Sequence, residues 1–329
     1  MRRRALIVLL ILLVGVLLQL RLRYGGGGDF PERVLPPRDP APALEVIAQL
    51  DTPPGNVAVS GDGRIFVSLH PEARPAMKLV ELRDGQPQPY PSAAFLDCKK
   101  EPRCFRELLG IRIDRQNRLW ALDTGQHGLH RGRLLAFDLG TGAVVHEVAF
   151  PRDIAGLGSH LNDFQVRHDG KFLFIAEASF FGKTPALIVY DVERRRARRV
   201  LEGHESVIAE HYTPVVEGRR MIALGLVAIR PGVDSIALDR SGEWLYFAPV
   251  SNTKMYRARL ADLLDENLKP RDLEARIEVY ADKTMSDGLT TDEAGNLYIS
   301  DLEHSAIVLM RPDRTMEQLV RDPKLLRWP

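Results

Sequence analysis

The chain has 329 residues, 45% of them hydrophobic and 27% charged, with a formal net charge of +1. That apolar content supplies a large core, and the balanced charge gives no electrostatic reason to expect a nucleic-acid partner. The sequence contains no P-loop, dinucleotide fingerprint, zinc motif or G-x-S-x-G elbow.

Residues 1–23 begin with Met-Arg-Arg-Arg and continue as ALIVLLILLVGVLLQL (5–20). A basic start before an aliphatic run is an export signal. The run would span about 24 Å at ~1.5 Å per residue, short for a bilayer core and therefore in keeping with a cleaved signal peptide. Arg21 and Arg23 follow at once, and no A-x-A site appears. These features favour an uncleaved signal anchor, with Arg2 and Arg4 kept in the cytoplasm. Either way the rest of the chain is expected to be extracytoplasmic, in the periplasm, on the cell surface or secreted. Residues 24–43, Gly-rich and then Pro-rich, read as a linker, and the folded domain is expected over 44–329.

Within that domain one hairpin sentence recurs: GNVAVSGDGRIFVSLH (55–70), LGIRIDRQNRLWALDTG (109–125), LNDFQVRHDGKFLFIAEA (161–178), VDSIALDRSGEWLYFAPV (233–250) and GLTTDEAGNLYISDLEHS (288–305). Alternating apolar runs around a Gly or Asn turn are strong hairpin signals. The turn residues Gly63, Asn117, Gly170, Gly242 and Gly295 recur at intervals of 54, 53, 72 and 53 residues. Each unit carries about four strand-like runs, which marks a blade of a β-propeller rather than a β-sandwich with coincidental turns.

The stretch 44–50 reads as a lone outer strand. The chain ends at Pro329, before a further turn is due near position 348. The fold expected is therefore all-β, a six-bladed propeller of four-stranded blades whose sixth blade is truncated at the C-terminus and represented by one strand. Cys98 and Cys104 are the only cysteines, and in an oxidising compartment such a pair is expected to form a disulfide. The arginine run at 193–199 reads as a solvated sheet edge. The long third interval predicts a loop or short helix around 205–219 over one end of the propeller.

Propellers bind ligands where the inner strands converge. Eight residues before each turn stand Gly55, Leu109, Asn162, Asp234 and Asp287, and six residues after it stand Asp123 and Asp301. The hairpin folds back, so all lie at one end, with Asn56, His160, Asp163 and Glu177 beside them. Acids sharing a mouth repel one another and call for a cation, a proton or an ammonium ligand. Oxygen donors suit Ca²⁺, Mg²⁺ or Mn²⁺, with Asn162, Asp234 and Asp287 as the metal ligands. The competing reading is that Asp and Asn here bond loop backbone.

The segments SVIAE, GVDSIALDRSGEWLYFAPVSNTKMYR, MSDGLTTDEAGNLYISDLEHSAI and DPKLLRWP resemble the bacterial branch of the yellow/major royal jelly protein family, over about Leu44 to Pro329. The resemblance implies a six-bladed propeller, usually secreted, with relatives that convert dopachrome, bind biogenic amines or serve as stores. A weaker similarity runs to gluconolactonase/senescence-marker propellers, which hold a divalent metal with asparagine, aspartate and a first-blade glutamate. Gly55 and Asn56 stand where that glutamate is required. Two functions follow as expectations. One is a small-molecule binder of an amine or catechol, using Asn56, Asp123, Asn162, Asp234, Asp287 and Asp301, with Phe180, Phe181 or Tyr212 stacking on a ring. The other is an enzyme, either a dopachrome tautomerase-like isomerase with His160, Asp163 or Glu177 as catalytic groups, or a metal-dependent lactonase. The membrane is a partner through the N-terminal segment alone.

Overall fold

Each of the five turn residues has a positive φ, from 58° at Asn117 to 86° at Gly63, and each closes the first hairpin of a four-stranded antiparallel sheet. The computed structural model describes residues 2–328. The first sheet is β1 (Pro54–Val59), β2 (Ile65–Leu69), β3 (Leu79–Arg83) and β4 (Gln86–Pro89). The second is β5 (Leu108–Ile113), β6 (Arg118–Asp123), β7 (Arg133–Asp138) and β8 (Val144–Ala149). The third is β9 (Leu161–Val166), β10 (Phe172–Glu177), β11 (Ala186–Asp191) and β12 (Arg196–Val200). Two minimal hairpins follow: β13 (Val215–Val216) with β14 (Arg219–Arg220), and β15 (Ile222–Ala223) with β16 (Val227–Ala228). The fourth sheet is β17 (Val233–Leu238), β18 (Trp244–Pro249), β19 (Lys254–Arg259) and β20 (Glu278–Asp282). The fifth is β21 (Leu289–Thr291), β22 (Leu297–Asp301), β23 (Ala306–Met310) and β24 (Met316–Arg321). Strand order within every sheet follows the chain. The inner strands pack in sequence, β1 on β5, β5 on β9, β9 on β17 and β17 on β21.

This is a propeller of five blades, not the six expected. Five turn-closed repeats supply five hairpins, and the stretch at 44–50 forms no strand among the described residues; Val46 and Ile47 are exposed. The edge of the last blade is met by the linker instead. Arg38 N donates to Gln318 O and Gln318 N to Pro36 O, each at 2.9 Å. The linker is also seated by Phe30, which packs with Val216, Val250, Met285 and Leu302.

The period-2 alternation of the strands places a separate core between each successive pair of blades. In β10, Leu173 and Ile175 face the second blade and join Trp120, Leu134 and Phe150, while Phe174 and Ala176 face the fourth and join Ile236 and Phe247. Strands buried on both faces read as continuous apolar runs, which is why FLFIAE and ALIVYD hardly alternate. The first blade differs, since Val57 and Val59 of β1 are more than half exposed.

The 205–232 segment forms a short 3₁₀ turn (Glu205–Val207) and the two minimal hairpins, at the end where the inner strands begin. The helix α1 (Arg2–Tyr24) is exposed and continues through Arg21 and Arg23, so that at ~1.5 Å per residue it reaches about 34 Å, long enough to cross a membrane. Cys98 and Cys104 form a disulfide with Cα atoms 5.1 Å apart.

Candidate functional site

The shared offset noted in the sequence corresponds to a shared backbone defect. Pairing of the inner strand with its neighbour slips between Pro54 and Asn56, between Leu108 and Ile111, between Leu161 and Phe164, and between Val233 and Ser235. Gly55, Leu109, Asn162 and Asp234 therefore occupy β-bulges, where an extra residue leaves the ladder and its side chain is re-aimed. Asp287 precedes β21; its own N–H and that of Gly288 are held by Ser300 Oγ, at 3.0 and 2.8 Å. The inner strands approach closely here. A Cβ on Gly110 would come within 2.6 Å of Asn162 O, so only glycine fits.

The bulges bring Asn162, Asp163, Asp234 and Asp287 into one electrostatic neighbourhood. Asn162 donates through Nδ2 to Asp234 Oδ1, and both side chains are buried. Burial pushes the Asp234 carboxyl well above the usual carboxylate range, and the carboxylates of Asp287 and Asp163 push it further. Asp163 is also raised by burial, against the pull of Arg112, whose guanidinium pairs with it. Arg112 Nη1 donates to Asn56 Oδ1 at 2.7 Å, and Asn56 Nδ2 donates to Asp163 Oδ1 at 3.4 Å. Three blades are thereby tied through one residue each. Asp287 is raised by burial while it accepts from Trp328 Nε1 at 2.6 Å.

The other predicted residues are at the same end but serve the loops. Asp123 accepts from the N–H groups of Arg106, Glu107 and Gly125, and pairs with Arg133 at 2.7 Å. Glu177 accepts from Ser159 Oγ and from His160 N and Ser179 N, and pairs with Arg199 at 3.0 Å. That contact draws one arginine of the 193–199 run inward. Asp301 holds His304 Nδ1 at 2.9 Å, which raises the imidazole to about 9. His160 stacks on His127 with ring centroids 4.9 Å apart, its Nδ1 is buried without a hydrogen-bond partner, and burial lowers it to about 3.

Arg112, Lys283 and Trp328 were not anticipated. Lys283 is buried, donates to the carbonyls of Val250 and Thr284 at 2.9 and 3.1 Å, and is lowered to about 7 by burial. Its charge acts on both Asp234 and Asp287. None of the three stands at the repeated offset, so the repeat carried no signal for them. A cavity of about 200 Å³ lies off this cluster, between the first two blades, lined by Arg74, Lys78, Arg106 and Glu107. Three of its nine lining residues are cationic and one is acidic, a different environment from the acid cluster.

The comparisons with known proteins agree with this architecture. Residues 108–329 match the family described as "Major royal jelly protein". The chain is 24% identical over 255 residues to major royal jelly protein 1 of Apis mellifera, covering 71% of this chain and 56% of that one. It is 23% identical over 234 residues to major royal jelly protein 6 of the same organism, covering 67% and 50%. The chain thus spans about half the length of these relatives. Among solved structures, a gluconolactonase from Xanthomonas campestris superposes with a TM-score of 0.53 at 13% identity, over 84% of this chain and 78% of that one. The hydrazine synthase of Kuenenia stuttgartiensis superposes with a TM-score of 0.52 at 11% identity, over 79% and 72%. Likeness at that identity concerns the fold alone. The family match covers two thirds of the residues and coincides with four of the five blades, and the chain belongs to the major royal jelly protein family.

Proposed function

We propose that this propeller works outside the cytoplasm as a binder of a small cationic ligand, an amine, at the acid cluster where its inner strands begin. The observation that carries the reading is the state of Asp234. Its carboxyl is buried and has a hydrogen bond from Asn162 but, among the described residues, no salt bridge, whereas Asp163 has Arg112. A buried carboxylate without a direct ion-pair partner is expensive, and an ammonium group in contact with it supplies one. The apolar helix at the N-terminus and the disulfide support an extracytoplasmic site.

Burial holds the Asp234 carboxyl above its usual range and an ammonium ligand would pull it back down, so whatever proton it carries is released on binding and affinity for an amine is expected to rise with pH through the titration of that carboxyl. Calorimetry with a biogenic amine in two buffers of different ionisation enthalpy counts that proton. Asp234→Asn is expected to weaken binding by about 10- to 150-fold, the value of a charged hydrogen bond of roughly 1.5–3 kcal/mol. Unchanged affinity in the variant refutes the assignment.

The lactonase of similar fold raises the question of a metal. The residues here suit one poorly. Among the described residues, no three His, Cys, Asp or Glu side chains converge as a metal-binding group, and the first blade contributes Gly55 rather than a carboxylate.

A further inference from the structure

We propose that the end of the propeller bearing the acid cluster lies flat against the bilayer that holds α1. The helix and the domain are joined without slack. Tyr24, its last residue, donates through Oη to Phe181 O at 2.8 Å, and Arg23 Nη2 donates to Gly182 O at 3.3 Å. The next residues are bound as well, with Gly25 O accepting from Arg230 at 3.2 Å and Gly28 N donating to His211 O at 2.9 Å. All these partners are in loops at the end where the inner strands begin, so a helix crossing a membrane sets that end against it.

The distribution of exposed apolar side chains points the same way. Leu129 (67% exposed), Leu157 (76%), Phe181 and Leu224 (95%) are loop tips at this end. At the opposite end, the strand-to-strand turns, including 114–117, 167–171, 239–243 and 292–296, carry no exposed large apolar side chain among the described residues. Exposed apolar residues near that end, such as Val59, Val145 and Ile47, belong to strands and to the 44–50 stretch rather than to projecting tips. Three of the tips form one surface. Gly158 N donates to His127 O at 2.8 Å, Gly182 N donates to Gly158 O at 3.0 Å, and the His127 ring meets the Phe181 ring edge-on at 4.8 Å.

Around them stand the groups that favour a lipid headgroup layer: Arg21 and Arg23 in the last turn of the helix, exposed Arg131 and Arg152, and Lys183, whose Nζ is 5.3 Å from the centre of the Tyr24 ring. Aromatic rings and snorkelling cations at the interface, with leucines dipping below it, are the general chemistry of such contacts. The occupant of this surface is therefore lipid rather than a second protein, because the chain's own helix brings lipid to it. The inference does not depend on which ligand the acids take.

The test uses the full chain inserted through α1 in phosphatidylcholine/phosphatidylglycerol nanodiscs. Leu129→Cys, Leu157→Cys and, at the opposite end, Ala294→Cys are each labelled with bimane; the two native cysteines are bridged. In discs carrying shallow nitroxide lipids, emission is expected to be lost at 129 and 157 and retained at 294. Retained emission at 129 and 157, or equal loss at all three, overturns the proposal. Hydrogen exchange on the unsubstituted chain provides a second readout. Amides 128–131 and 156–158 should slow on transfer from detergent to discs while amides 240–242 and 293–295 do not, and equal change at both ends overturns it as well.

Discussion

Removing the Arg112 guanidinium tests the cross-blade tie at the acid cluster most directly. Arg112 lies on β5, yet it bonds Asn56 of the first blade at 2.7 Å and pairs with Asp163 of the third. Exposed ion pairs contribute about 0–1 kcal/mol, and breaking a buried pair from one side costs about 3–5 kcal/mol. The Arg112 and Asp163 side chains are 22% and 15% exposed, so Arg112→Ala should fall between these limits, at about 2–4 kcal/mol near pH 7. Most of that is the carboxylate left behind, so Asp163→Asn in the same chain should recover much of it. The loss should also shrink in acid. Burial holds the Asp163 carboxyl above its usual range, and once that group is protonated in both proteins there is no ion pair to lose. Urea unfolding of the full chain in detergent, followed by fluorescence of the buried Trp120, gives the free energies by linear extrapolation. A single-variant loss below about 0.5 kcal/mol, or a double variant whose loss equals the sum of the singles within that margin, refutes the coupling.

Three further outcomes are expected. His304 is raised to about 9 by its hydrogen bond to Asp301, with Glu32 of the linker as a second partner at 3.1 Å. Its stabilisation is therefore complete below the unfolded imidazole pKa and lost as pH rises through about 9; melting temperature should fall over that window, and His304→Gln should flatten the fall. Reducing the Cys98–Cys104 bridge releases a short loop worth about 2 kcal/mol by loop-closure entropy, which denaturant unfolding with and without reductant measures, and peptide mapping of the unreduced chain should show the pair linked. Gly110→Ala places a methyl within 2.6 Å of Asn162 O, so the variant should lose about 1–3 kcal/mol and weaken amine binding, because the bulge that aims Asn162 must shift; wild-type behaviour in both assays refutes the close packing.

The repeat was legible because its determinants are local. A glycine or asparagine at positive φ between two alternating runs specifies a hairpin without reference to the rest of the chain, and Gly63, Asn117, Gly170, Gly242 and Gly295 all take that conformation. Blade number was read less well. The family resemblance implied six, and LEVIAQLD has the composition of an outer strand, but composition does not provide a pairing partner. The edge of β24 is met by Pro36–Arg38 instead. The segment read as a linker from its glycines and prolines is seated through contacts with residues that lie about two hundred or more positions away, such as Tyr212 and Gln318. No local pattern encodes those.

The site divides in the same way. Its acids were found by counting from the turns, since symmetry about the propeller axis converts an equal offset into proximity. Counting placed Asp234 and Asp123 at the same end, from different offsets, but it could not say that Asp234 would be aimed at the cluster by a bulge while Asp123 accepts three loop N–H groups. Which way a polar side chain turns at a strand end depends on the donors that neighbouring loops present to it. Arg112, Lys283 and Trp328 joined the cluster from unrelated positions. The sequence by itself determined the repeat, the ring-like stacking and the end where polar groups gather, because period-2 alternation and turn chemistry act within about twenty residues. Only the tertiary structure decided which acids are buried without an ion-pair partner and which loops the N-terminal helix meets, because burial and charge pairing are sums over groups brought together from distant parts of the chain.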